Sequence, residues 1–396
     1  MKLSVLIVNY NVCYFTEHCV WSVLKAAEVM QHHKPAWQTE ILVFDNASAD
    51  NSAVYLPKLF GDKISFFSSG TNLGFGKANN QLLEKATGEY ILYLNPDTMI
   101  PEDCLLNHVR FAESADNFGA SGIRMIDGRG KFLPESKRGF PGTWVSFTKM
   151  AGLAKAFPES KLFAQYYVGH LDENTTAEVP VLSGAYLLAK RSLLAELGGF
   201  DEQFFMYAED IDLSYRITKA GFKNYYFAED TIVHFKGEST RKDRKYIKQF
   251  YYAMLQFVRK HFKSTAGKIY SGMMEAAISL RAGISMVGKS SPKERETITT
   301  SFKTYLLGDK EAIDIVLENL VRGTGPVMHQ VTKSSSEATE VIYCIGRTYT
   351  LTDAIAAMQR SEVPAKKFFR AEAASLVGSD SSNEQGTSEH FDDRKV

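Results

Sequence analysis

Ile91-Leu92-Tyr93-Leu94-Asn95-Pro96-Asp97-Thr98 decides how the rest of the chain is read. A short apolar run that stops at Asn-Pro-Asp reads as a buried strand delivering one carboxylate at its C-terminal end. The proline fixes the local backbone and restricts the residue before it. Open α/β sheets take their ligands at that edge. Nothing apolar needs a carboxylate there, so Asp97 is the first candidate for chemistry.

Working outward, the same pattern precedes this stretch. Leu3–Val8 reads as a first buried strand ending at Asn9-Tyr10-Asn11. Thr16–Met30 has helical spacing, with Thr16 as its N-cap. Glu40–Phe44 is a second strand ending at Asp45-Asn46-Ala47-Ser48, and a short helix around 51–60 follows. Ile64–Ser68 is a third strand, and Gly70–Gly76 is a glycine-rich turn opening a helix that runs to about Ala86. This alternation predicts an α/β protein with a parallel sheet and helices on both faces. Residues 126–178 read as a long excursion or lid, with Lys131, Lys137 and Arg138 among its polar residues.

Later elements are shorter. Leu182–Ala189 reads as a strand, Arg191–Leu197 as a helix stopped by Gly198-Gly199, and Ile211–Ala220 as a helix ended by Gly221. Lys223–Ala228 and Thr231–Phe235 read as two short strands. Arg241–Lys263 mixes cations with Phe250, Tyr251, Tyr252, Phe257 and Phe262, a basic aromatic helix. Such a helix suits either an anionic membrane surface or a core. Residues 264–288 and 294–321 read as further helix, with a break at Ser290-Ser291-Pro292. Glu340–Ile345, Thr352–Arg360 and Lys366–Arg370 suggest a small β-α-β unit. The organisation expected is a catalytic domain over 1–240, a helical extension over 241–330, the small unit over 331–378 and a disordered tail over 379–396.

The chain has 396 residues, 44% of them hydrophobic and 12% aromatic, enough for a large core. Its formal net charge is zero, so no global field points to nucleic acid. Cys13, Cys19, Cys104 and Cys344 have no metal-ligand spacing and read as buried thiols of a reducing compartment. No apolar run reaches the roughly 18 residues of a membrane span. The start of the chain lacks a signal-peptide layout, so a cytoplasmic protein is expected, with peripheral contact with the inner face of the cell membrane as its variant.

Each candidate residue has a structural alternative. Asp45 can accept hydrogen bonds from a base or ribose, or close an Asx turn with Asn46 and Ser48. The Gly70–Gly76 loop matches neither a dinucleotide fingerprint nor a Walker motif, and a tight turn explains it as well. Asp97 can ligate Mg²⁺ or Mn²⁺ between two phosphates, or cap a helix starting near Pro101. Glu209-Asp210 can hold a general base, or complement the dipole of the helix they open. Asp212 could cap that helix or pair with Arg216. His234, at a strand end, can complete a metal site or be packed structurally.

Taken together, Asp45-Asn46-Ala47-Ser48-Ala49-Asp50, Asn72-Leu73-Gly74-Phe75-Gly76, Asn95-Pro96-Asp97-Thr98, Ser183-Gly184-Ala185, Gly199-Phe200-Asp201-Glu202 and Glu209-Asp210-Ile211-Asp212-Leu213 resemble the inverting glycosyltransferases of family 2, over roughly residues 3–262. The nearest subgroup is the bacterial rhamnosyltransferase-like enzymes of cell-surface polysaccharide synthesis. The resemblance implies the GT-A fold, plus a helical and small α/β extension read from the chain itself. It implies transfer of a hexose from a nucleotide-diphosphate sugar to a glycan or lipid-linked glycan. Asn9, Tyr10, Asn11, Asp45, Asn46, Asn72, Gly74, Asn95 and Asp97 would face the donor. Gly184, Ala185, Met206 and Glu209 would face the acceptor. Asp210 would be the catalytic base beside Glu209, and Asp97 with His234 would hold a divalent cation. Asn95 stands where many relatives carry aspartate, which leaves strict metal dependence open. The Gln-x-x-Arg-Trp motif of processive synthases is absent, so one sugar per binding event is expected. The rival expectation is a binding or scaffold protein that kept the fold without the chemistry. Homo-oligomerisation is left open.

Overall fold

Lys2–Asn9 forms β1, with β2 (Gln38–Asp45) and β4 (Tyr90–Leu94) parallel on its two sides and β3 (Ser65–Ser68) beyond β2. The computed structural model describes residues 1–140, 167–236, 244–262, 272, 301–322, 328–332, 335–379 and 386–391. The strands are near-continuous apolar runs because both faces of the sheet are covered. On one face α1 (Cys13–His33), α2 (Ser52–Phe60) and α4 (Cys104–Ser114) bury Val5, Ile7, Val43 and Leu92. On the other, α3 (Phe75–Lys85), α5 (Arg191–Leu197) and α6 (Glu209–Lys219) bury Leu6, Ile91, Tyr93 and Phe200. The expected class, α/β with helices on both faces, is what the chain adopts.

Three local readings are corrected. Thr16 lies inside α1 rather than capping it; its hydroxyl donates to Asn9 Oδ1 at 2.7 Å and to the Val12 carbonyl at 3.0 Å. Phe118–Ile126, read as part of no element, is the fully buried strand β6. Residues 223–234 form one strand, β9, whose pairing with β6 shifts register at Ile123/Arg124, rather than two strands.

Past β4 the sheet becomes mixed. Strand β8 (Tyr186–Lys190) is antiparallel to both β4 and β6, and β9 runs parallel to β6. The two-residue strands β5 (Thr98–Met99) and β7 (Ala177–Glu178) add antiparallel to β9. The reversal matters for the site, because β8 begins, and β9 ends, on the side of the sheet where β4 ends.

The basic aromatic segment is the helix α7 (Arg244–His261). Its Ala253, Met254, Leu255, Phe257 and Val258 are buried against Val181, Phe204, Ala208 and Ile211, with Phe250 and Phe262 packed on the same cluster. Burying such side chains stabilises by about 1.5–3 kcal/mol each. Tyr252 alone of its described aromatics is exposed. Among the described residues no helix is long and apolar enough to cross a membrane.

The C-terminal region differs most from expectation. Ser301–Gly308, read as helix, is strand β10, followed by α8 (Lys310–Arg322). It joins β11 (Met328–Thr332), β12 (Glu340–Ile345), β13 (Ala365–Arg370), β14 (Ser375–Gly378) and β15 (Thr387–His390) in one six-stranded sheet of order β11-β10-β12-β13-β14-β15. The expected boundary near 330 therefore cuts through a sheet. The tail expected to be disordered from Ser379 includes β15, and Phe391 after it is buried. The β-α-β reading of 340–370 is recovered, with helix α9 (Leu351–Arg360) between its strands. The helical reading of 264–288, apart from residue 272, and the break at 290–292 lie outside the described residues.

This sheet packs on the first one. Glu17 of α1 accepts from the Ala374 N–H at 2.8 Å and from the Ser375 hydroxyl at 2.7 Å. Glu102 accepts from the Leu351 N–H at 2.9 Å at the start of α9, where the helix dipole favours a carboxylate. Val12, Phe15, Phe235, Tyr343 and Phe368 share one apolar cluster between the two sheets.

Candidate active site

The strand ends on the β1–β2 side are tied together by amide and carboxylate side chains. Asn9 Nδ2 donates to Asp45 Oδ1 at 2.7 Å and to the Ser48 hydroxyl at 3.1 Å. Asp45 Oδ2 accepts from the Ser48 N–H, three residues on, at 3.1 Å, so the carboxylate closes the local turn there. Asn11 Oδ1 accepts from the Ala49 N–H at 2.6 Å, and Asn11 and Ala47 both take positive φ, 56° and 64°. Tyr10, between Asn9 and Asn11, is half-buried. Asn46 laces the glycine loop: its Oδ1 accepts from the Leu73 N–H at 2.8 Å and its Nδ2 donates to Asn72 Oδ1 at 3.2 Å. Gly74 has φ +83°, and a Cβ there would come within 2.5 Å of the Phe205 carbonyl. Only glycine lets the loop approach that segment so closely.

Asp97 reaches its partner through the sheet. Register between β5 and β9 sets Thr98 opposite His234, and the Phe235 N–H donates to the Asp97 carbonyl at 3.0 Å. His234 Nε2 then lies 3.4 Å from Asp97 Oδ1, both side chains almost fully buried, and 3.5 Å from Asn95 Nδ2. Asp97 caps no helix; α4 begins at Cys104 with Asp103 at its cap. Among the described residues no group of three His, Cys, Asp or Glu is gathered. The donors fit a cation that draws its remaining oxygens from a diphosphate. Asp97 and His234 stand at a spacing two ligands of one ion can share, and Asn95 Oδ1 is buried with no protein partner. Glu135, whose carboxyl pairs with Lys236, is held below the usual carboxylate range by that ammonium despite its burial.

The acidic pair sits across a seam from Asp97. Asn95 N–H donates to the Ala185 carbonyl at 2.9 Å, and the next residue back, Gly184, donates its N–H to Asp210 Oδ2 at 3.1 Å. A Cβ on Gly184 would sit 3.4 Å from Asp210 Cβ and 3.5 Å from the Phe75 ring, so glycine keeps the gap between loop and acid open. Tyr207 and Ala208 both take positive φ, 71° and 68°, immediately before α6. Two non-glycine residues held there store strain where the chain turns its acids inward. Asp210 Oδ1 accepts from the Ile211 N–H at 2.8 Å. Arg138 Nη2 donates to Asp210 Oδ2 at 2.5 Å and to the Leu182 carbonyl at 2.6 Å.

Glu209 is more deeply buried than its neighbour Asp210. Burial first, and the neighbouring Asp210 carboxyl second, push its pKa upward, against a smaller opposing pull from Arg138. Its Oε2 is buried and unpartnered, a setting that favours the neutral acid over the carboxylate. Adjacent carboxyls in such unequal surroundings separate acid from base.

A run of contacts thus links His234 to Asp97 and Asn95, Asn95 to Ala185, and the adjacent Gly184 to Asp210, with Glu209 beside it at the start of α6. Met206, half-buried, lies in the turn leading to it. Asn9, Asp45, Asn46, Asn72 and Gly74 form the neighbouring strand-end lattice. Arg138 was read only as one of several polar residues in the excursion. Its basic character was visible, but its partner lies 72 residues away.

A sequence profile described as glycosyl transferase family 2 matches residues 4–198. An N-acetylglucosaminyl-diphospho-decaprenol L-rhamnosyltransferase of Mycobacterium tuberculosis is 29% identical over 216 residues, covering 51% of this chain and 68% of that protein. Rhamnosyltransferase WbbL of Escherichia coli K12 is 29% identical over 187 residues, covering 44% of this chain and 66% of that protein. Among solved structures, a mannosyltransferase of Pyrobaculum calidifontis in complex with GDP-Man and Mn²⁺ superposes with a TM-score of 0.47 at 16% identity, covering 73% of this chain and 76% of that one.

Proposed function

We propose that this chain, which belongs to glycosyltransferase family 2, inverts an anomeric centre while moving a hexose from a nucleotide-diphosphate sugar to a hydroxyl of a lipid-linked glycan. L-rhamnose is the first sugar to test, because the M. tuberculosis relative is named for it. The observation that carries the reading is the meeting of Asp97 with His234 and of Gly184 with Asp210 on one seam.

The nucleotide lies over the β1–β2 strand ends, where Asn9, Tyr10, Asn11, Asp45, Asn46 and Asn72 offer polar groups. Asp97 and His234 would hold Mg²⁺ or Mn²⁺, which when bound offsets charge on the departing diphosphate. Asp210 takes the proton from the acceptor hydroxyl. The freed oxygen lone pair attacks the anomeric carbon as the bond to the diphosphate oxygen breaks on the opposite face. Such a transition state is oxocarbenium-like, as in glycoside hydrolysis. Glu209, whose burial favours its neutral acid, then adds no second negative charge beside the base and can donate a hydrogen bond to the acceptor.

A panel of UDP- and dTDP-sugars, read by thermal shift with Mn²⁺, tests the donor. Ligand that binds the native state raises the melting temperature. The true donor should stabilise the protein with Mn²⁺, lose most of that effect in EDTA, and lose it in Asp97→Asn. An equal shift in EDTA would remove the cation from the reading.

Contact of the 241–263 segment with an anionic bilayer is also proposed, to meet a lipid-linked acceptor. Its aromatics Phe250, Phe257 and Phe262 are committed to the core and Lys260 is held by Asp201 and Asp212, so the contact rests on the segment's other cations, each contributing about 1 kcal/mol near such a surface. Flotation with phosphatidylserine vesicles at low salt should carry the protein upward. Protein left at the bottom of the gradient removes this role.

A further inference from the structure

We infer that Arg138 is the positioning residue of the reaction: it occupies Asp210 Oδ2 so that Oδ1 receives the acceptor's proton. The inference rests on Asp210 being the base.

An ionised carboxylate has about four lone-pair sites, two on each oxygen. Oδ2 receives Arg138 Nη2 at 2.5 Å and the Gly184 N–H at 3.1 Å, which uses both of its sites. Oδ1 receives the Ile211 N–H at 2.8 Å, which leaves one site for an incoming hydroxyl. The two oxygens are therefore unequal before any substrate arrives. A base must have a free lone pair within hydrogen-bond reach of the proton it takes, and Oδ1 is the oxygen that has one.

The guanidinium is built into this place. The Arg138 N–H donates to the Val181 carbonyl at 3.1 Å, and its carbonyl accepts from the Val181 N–H at 3.0 Å. Its Nη2 also donates to the Leu182 carbonyl at 2.6 Å, one residue before Ser183-Gly184. Arg138 and Asp210 side chains are 11% and 14% exposed, so water competes weakly for the pair. The same strip, residues 181–184, thus anchors the arginine at one end and supplies the second donor to Oδ2 at the other. An exposed ion pair would be worth little; this one fixes the plane of a reacting carboxylate.

The test compares Arg138→Gln, Arg138→Lys, Arg138→Ala and Asp210→Asn in the full chain. Turnover of dTDP-L-rhamnose is followed with N-acetylglucosaminyl-diphospho-decaprenol as acceptor. Misplacing a reacting group by about 1 Å can cost about 10²-fold. Arg138→Gln should lower kcat by about ten- to a hundredfold, with the donor KM unchanged. Arg138→Lys, which keeps one charged donor, should recover part of the loss. Low-millimolar guanidinium should restore part of the activity of Arg138→Ala. Arg138→Gln in the Asp210→Asn background should cause no further loss. Wild-type kcat in folded Arg138→Gln, or a loss carried wholly by KM, overturns the inference. If the glutamine variant does not fold, wild-type kcat in Arg138→Lys does so instead. An Asp210→Asn enzyme with near-normal turnover sinks the parent reading; an inactive Asp210→Asn beside a normal Arg138→Gln sinks this one alone.

Discussion

Asp210→Asn is expected to lower kcat by roughly 10²–10⁴-fold, the usual cost of removing a general base. Donor affinity, measured by calorimetry with Mn²⁺, should stay near the wild-type value, because the donor side of the seam is built from other residues. The amide keeps the shape of the carboxylate but not its ability to take a proton. It also cannot satisfy its neighbours fully. Arg138 and Gly184 both donate to Oδ2, and Ile211 donates to Oδ1. An asparagine can turn its carbonyl toward the first pair only by aiming its NH₂ at the Ile211 N–H. A modest loss of stability should accompany the loss of turnover, about 1–3 kcal/mol for the donor left unpaired. Near-normal turnover on the true acceptor would move the base elsewhere.

The second large effect is on stability. Asp212, two residues past Asp210, is fully buried and accepts from Arg216 Nε at 2.7 Å, Lys260 Nζ at 2.6 Å and His261 Nε2 at 2.6 Å. It joins α6 to the end of α7, and Lys260 also pairs with Asp201 at 2.5 Å. Burial alone would raise its pKa. Hydrogen bonds from His261 and Lys260, with the Arg216 charge, outweigh that and hold it at about 2. Asp212→Ala leaves Arg216 and Lys260 without their shared anion in a partly buried place. Breaking such a cluster by removing one partner costs about 3–5 kcal/mol. Urea unfolding should show this loss near pH 7, and hydrogen exchange should show α7 opening first.

The sign with pH follows from the same shift. An unfolded aspartate titrates near 3.9, above the folded value of about 2. The stabilisation is thus complete above about pH 4 and fades as pH falls toward 2. The gap between wild type and Asp212→Ala should narrow by roughly 2–3 kcal/mol over that window. A gap under about 1 kcal/mol at pH 7 would reduce the cluster to an ordinary surface pair.

Much of the first sheet was legible because its strands announce themselves locally. Leu3–Val8, Glu40–Phe44 and Tyr90–Leu94 are apolar runs bounded by Asn, Asp and Gly, and each became a buried strand. Phe118–Ile126 escaped because Gly119, Ser121, Gly122 and Arg124 break the run, although every residue is buried. Arg124 tolerates that place by pairing with Glu173 at 2.6 Å, a partner no local pattern reveals. Ser301–Gly308 failed as a helix for a similar reason. Lys303 and Thr304 dilute its apolar residues, and its identity as a strand comes from β11 and β12 on either side. The aromatics of 241–263 suited membrane and core equally, and it is Val181, Phe204, Ala208 and Ile211 that bury Phe250, Phe257 and Phe262 while Tyr252 stays exposed.

What the order of residues determined alone was the set of short-range choices. It chose which segments extend or coil, and which strand ends carry acids and amides. It also placed an acidic pair at the start of a helix. Those follow from contacts between residues a few positions apart, which a linear pattern records directly. Which of these groups meet was decided only in three dimensions. Asp97 faces His234 because a two-residue strand adds to β9, and Asp210 meets Arg138 and Gly184 because β8 runs against β4. Sheet register and burial set those pairings at once for the whole chain, and neither is written in any single stretch of it.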